Sequence, residues 1–79
     1  MIVATREDLN RWVLEAVRDL GPSQVARVAE HIWSRHEKEL QASGDLFYTW
    51  QYAMRWEAMK LRKKGKFAPA TKDGLWRLA

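Results

Sequence analysis

Leu9, Trp12, Val13, Ala16, Val17 and Leu20 recur at three- and four-residue spacing, the signature of a helix with one apolar stripe. Thr5 stands before the stripe as an N-cap, and Glu7 and Asp8 put negative charge at the positive end of the helix dipole. Asp8 at the third helical position completes a shortened capping box, and Gly21 supplies a terminal glycine. A first helix over residues 5–20 follows. Pro22 and Ser23 restart the chain, with Ser23 as the new cap. Val25, Val28, Ala29, Ile32, Trp33 and Leu40 then mark one side of a second helix that runs to about Glu39 and breaks near Ser34.

Residues 41–45 have the composition of a turn, and a third helix is expected from Leu46 to Lys64, stopped by Gly65. Trp50, Ala53, Met54, Glu57 and Leu61 share one arc of that helix, with Trp56 at its margin. Tyr48, Gln51, Tyr52, Arg55, Met59 and Arg62 occupy the opposite arc. Glu57 on the buried side needs either an arginine from an earlier helix or a place at the core's edge. Lys66-Phe67-Ala68 and residues 75–78 read as two short strands around a turn at 69–74, where Asp73-Gly74 favours positive φ. Either Trp76 or Leu78 would anchor that hairpin on the helices. The expected fold is mainly α with a small β-hairpin: a winged helix-turn-helix of three helices followed by a two-stranded wing, forming one domain over residues 1–79.

Composition narrows the function. Seventy-nine residues with 47% apolar content and nine aromatic side chains make one small, apolar-dense domain. Without cysteine there is neither disulfide nor thiolate zinc site, which fits a cytoplasmic setting. Met1-Ile2-Val3-Ala4 is too short for a signal peptide, and no apolar run reaches a membrane span. Residues 1–46 carry six basic and eight acidic side chains, whereas residues 47–79 carry eight basic and two acidic ones. That asymmetry points to one face that meets a polyanion.

No catalytic constellation stands out, so no enzyme, cofactor or small-molecule substrate is expected. His31 and His36, five residues apart, diverge by about 140° on a helix and do not make a metal pair. The face of Tyr48, Gln51, Tyr52 and Arg55 is the candidate for reading DNA: glutamine can pair with adenine, arginine with guanine, and tyrosine hydroxyls can reach phosphates. Arg62, Lys63 and Lys66 at the helix end and Lys72 in the turn are candidates for phosphate contact, although cations there also suit the helix dipole. Ser23 and Gln24 at the start of the second helix could offer backbone amides to a phosphate. Trp12, Trp33, Trp50 and Trp76 fall on core faces.

Several of these residues form a pattern found elsewhere. Glu39-Leu40 with Ser43-Gly44, Arg55-Trp56 ahead of Leu61-Arg62-Lys63 and Gly65, and Gly74-Leu75-Trp76-Arg77-Leu78 resemble the N-terminal winged-helix domain of Mrr-type restriction endonucleases. Gly21-Pro22-Ser23 and Val28-Ala29-Glu30 are similar to the family's second helix. The resemblance implies recognition of double-stranded DNA by the third helix and the wing, in a restriction-related or transcription-regulating role at the nucleoid. The family's nuclease domain has no room in this chain. The rival expectation is a protein-interaction or assembly module of a phage or mobile element, acting as a homodimer or with another protein. Tyr48, Tyr52, Trp56 and Met59 support it, because aromatics and methionine are enriched at interface cores.

Overall fold

The computed structural model describes residues 4–69 and 72–79. Three helices carry the fold: α1 (Arg6–Leu20), α2 (Val25–Gln41) and α3 (Asp45–Lys63). The capping box at α1 is complete. The Thr5 hydroxyl accepts from the Asp8 amide at 3.2 Å, and the Asp8 carboxylate accepts from the Thr5 amide at 3.1 Å. Gly21 closes α1 with φ at 78°, a conformation open to glycine and strained for other residues. The cap of α2 is Gln24 rather than Ser23. Ser23 is instead buried, with its hydroxyl donating to the Gly21 carbonyl at 2.8 Å.

The interruption of α2 falls at His36, not at Ser34: His36 has φ −129° and ψ 23°. Its ring stacks on Trp12 of α1, with centroids 3.9 Å apart and planes 7° from parallel. Across the same seam His31 stands 3.3 Å from the Asp19 carboxylate and His36 3.6 Å from that of Glu15. Arg35 reaches both acids, at 3.6 and 3.8 Å. The two histidines therefore face α1 separately. Their α1 neighbours are carboxylates, an indole and no second histidine.

The two-stranded wing does not form, and the winged-helix assignment is corrected accordingly: among the described residues there is no strand, and the fold is a compact set of three helices. The C-terminal segment makes two isolated antiparallel bridges, Phe67 with Leu78 and Ser23 with Trp76. Its hydrogen-bonding groups are divided among three partners. The amides of Lys66 and Phe67 turn back to the Leu61 carbonyl at the end of α3. Ala68 donates to Arg77, Ala79 donates to Lys66, and Trp76 exchanges both its bonds with Ser23. Pro69, with no amide hydrogen, cannot extend the first pairing. Ala70 and Thr71, within the expected turn, and Met1, Ile2 and Val3 lie outside the described residues.

One apolar cluster joins the elements. Leu9, Val13 and Val17 of α1, Val28, Ile32 and Leu40 of α2, and Trp50, Met54, Ala58 and Leu61 of α3 are buried together with Phe67 and Trp76. Trp76 is the tail's anchor, while Leu78 remains exposed. Trp33 is half-buried at the edge of this cluster, stacked on Trp50 at 6.1 Å. The tail thus contributes core rather than a projecting ribbon. Phe67→Ala should cost about 3–5 kcal/mol, as expected for a buried phenylalanine. Urea denaturation checks this, and a loss below about 1 kcal/mol, within the range of ordinary surface substitutions, would mean that the tail lies outside the cooperative core.

Candidate nucleic-acid interface

The rotation of α3 about its axis decides what it shows to solvent. Trp50, Ala53, Met54, Glu57, Ala58 and Leu61 face inward. Glu57 is 2% exposed, and its charge is met from two helices. Asn10 of α1 donates to its Oε1 at 3.2 Å, while Arg6 of α1 and Lys60 approach its Oε2 at 3.4 and 3.2 Å. Arg6 and Asn10 are one turn apart on α1, so a single face of that helix holds the carboxylate. Burying a carboxylate is unfavourable unless it is paired, and here an amide and two cations pair it.

The outward face is apolar and cationic. Tyr48 is 83% exposed, Tyr52 58%, Trp56 47% and Met59 42%, and Gln51 and Arg55 are exposed among them. Gln51, Tyr52, Arg55, Trp56 and Met59 line a shallow depression of about 490 Å³. The Tyr52 and Trp56 rings stack with centroids 6.3 Å apart and planes 27° from parallel. A smaller depression of about 270 Å³ lies on the other side of that pair, between Arg6, Leu46, Thr49 and Ala53. Asp45 and the inward Glu57 are the only carboxylates of α3, so from Tyr48 to Lys63 its outward face carries no negative charge.

The structure therefore brings together Gln51, Tyr52 and Arg55, with Tyr48 exposed one turn earlier on the same face. Lys63, Lys66 and Lys72 are exposed but do not line the depression. Arg62 is half-buried, and its Nε has no hydrogen-bond partner among the described residues. Gln24 is exposed, and no side chain caps α2. Ser23 is not free to meet a phosphate: its amide donates to Trp76 at 3.0 Å and its hydroxyl to Gly21. Asp73 is drawn into the tail, accepting from the Leu75 amide and pairing with Arg77 at 2.6 Å.

Sequence reasoning placed Trp56 at the margin, offered an arginine of an earlier helix for Glu57 without singling out Arg6, and missed Asn10 and Phe47. Arg6 was one more charged residue in a first turn, and only its one-turn spacing from Asn10 hinted at a shared target. Phe47 sits at the border of the buried arc, where it joins Trp33 and Trp50 in lining a groove of about 560 Å³ between α2 and α3. Comparison with known protein families, characterised proteins and solved structures finds no match. The likeness to the Mrr-type domain thus rests on the residues quoted for it. Among the described residues no helix is long and apolar enough to cross a membrane.

The inward and outward faces of α3 should respond differently to truncation. Glu57→Ala leaves the Asn10 amide without its partner and should cost about 1–3 kcal/mol. Tyr48→Ala, on the exposed face, should change stability by no more than about 0.5 kcal/mol. Paired urea titrations test both, and an equal loss in the two variants would contradict this orientation of α3.

Proposed function

We propose that this protein binds double-stranded DNA by laying the outward face of α3 into the major groove. The observation that carries the reading is the composition of that face: Gln51 and Arg55 exposed among Tyr52, Trp56 and Met59, with Glu57, the one carboxylate of α3 after Asp45, turned inward. A helix with its side chains is about 10–12 Å across, and the major groove is about 12 Å wide. Gln51 can make two hydrogen bonds to adenine and Arg55 two to guanine, while the Tyr48 hydroxyl suits a phosphate. Lys63 and Lys66 follow the base-reading turns along the chain, and Lys72 adds charge from the tail. The exposed, uncapped start of α2 at Gln24 offers a further phosphate contact, whereas Ser23 drops out of the set. The reading assigns no catalysis to the chain.

The exposed area of Tyr48, Tyr52, Trp56 and Met59 favours one second reading, a protein-interaction module that covers the same face. Salt separates the two. With four to six phosphates neutralised, log affinity for a random-sequence duplex should fall with log salt at a slope of about −4 to −5. Fluorescence anisotropy between about 50 and 200 mM salt measures it. Absence of binding at the lowest salt, with salt-insensitive self-association in sedimentation, would replace the DNA reading by the second. Arg55→Ala should cost about 1–3 kcal/mol on a selected site and relax the preference at one base pair. Equal losses on selected and random duplexes would assign Arg55 to phosphate instead.

A further inference from the structure

The outward face of α3 is divided along its length. Around residues 51–59 the depression is lined by two hydrogen-bonding side chains, Gln51 and Arg55, and three large side chains with apolar surface, Tyr52, Trp56 and Met59. Lysine, serine, threonine and carboxylate, the usual surface of a phosphate-binding patch or a solvated helix, are absent from this lining. The cations gather in the last turn, at Lys60, Arg62 and Lys63. Base-directed chemistry thus precedes phosphate-directed chemistry on one helix.

The ring and thioether surface of such side chains gains hydrophobic free energy on association where it meets apolar surface. Among the base edges of the major groove, the apolar group is the 5-methyl of thymine. Gln51 beside it has the two-pronged geometry that fits N6 and N7 of adenine, thymine's partner. Gln51 and Arg55 are four residues apart, about 6 Å along the helix axis, close to the roughly 6.8 Å of two base-pair steps. The stacked Tyr52 and Trp56 rings and Met59 share the depression with them.

Resting on the duplex-binding reading above, we infer that this face selects A·T pairs on either side of the base pair met by Arg55, with Gln51 on adenine and Trp56 and Met59 seated against thymine methyl groups further along α3. Specificity then comes from burial of a methyl group as well as from hydrogen bonds. Each methyl so covered contributes about fourfold in affinity, the equivalent of about 0.8 kcal/mol.

The test uses three duplexes of one length: one with a central A·T block, the same duplex with uracil for every central thymine, and one with a central G·C block. Anisotropy should show the uracil duplex bound more weakly by about fourfold for each methyl contacted, with the salt slope unchanged. The variant carrying Trp56→Ala and Met59→Ala should lose the thymine-over-uracil preference and keep the slope; circular dichroism confirms that it folds, as the exposure of both side chains leads one to expect. Equal affinity for the thymine and uracil duplexes, with a steep slope intact, would overturn the inference and leave duplex binding standing. A preference that survives in the double variant would assign it to DNA shape and overturn the inference as well. Failure to bind any duplex at about 50 mM salt would remove the duplex reading, and this inference with it.

Discussion

The contact between the Glu57 carboxylate and α1 sets how α3 is turned about its own axis. An amide from Asn10 and cations from Arg6 and Lys60 surround a group that could not otherwise remain buried. With Glu57 inward, Trp50, Ala53, Met54 and Leu61 follow into the core at helical spacing, and Tyr48, Tyr52, Arg55 and Met59 are left outward. A polar interaction of this kind adds little net stability, because desolvation offsets much of the attraction. Its consequence is orientation. An apolar residue at position 57 could pack as well while tolerating a small rotation, whereas the carboxylate satisfies Asn10 only in one.

The same turn also separates charges. Turning Glu57 inward removes the one carboxylate that would otherwise interrupt the outward face of α3 after Asp45. The acids of α1 are engaged in a similar way: Glu15 and Asp19 meet Arg35 and the two histidines of α2. Glu15 and Asp19 are thereby paired across the α1–α2 seam, while the cations of α3 other than Lys60 stay open on its outward side and last turn. The tail supports this arrangement from behind, since Phe67 and Trp76 enter the core and Trp76 ties the chain to Ser23 between α1 and α2.

The helices were legible because local signals agreed with one another. The Thr5–Asp8 box, Gly21 and the apolar stripes fall where α1 and the inner faces of α2 and α3 are found. The wing was misread because strand propensity cannot say how far a pairing extends: a single bridge, Phe67 with Leu78, joins the two segments, while the Phe67 amide goes to Leu61 and Trp76 pairs with Ser23. Ser23 looked like a cap because its link to Trp76 spans most of the chain. The break in α2 was displaced from Ser34 to His36, where stacking on Trp12 accompanies the non-helical backbone. The outward face was legible from the helical period alone, but Trp56 was not, because a residue at the edge of an arc is assigned by the neighbours it meets.

The most direct test of the central claim, that the face left outward by Glu57 is the face that meets DNA, is an amide chemical-shift map of the isotope-labelled protein titrated with duplex DNA. The account predicts shifts concentrated at Gln51, Tyr52, Arg55, Trp56 and Met59 and trailing into Lys63, with the α1–α2 seam around Glu15 and Arg35 unmoved. Shifts concentrated on that seam, or spread over the surface without regard to the faces of α3, would contradict it.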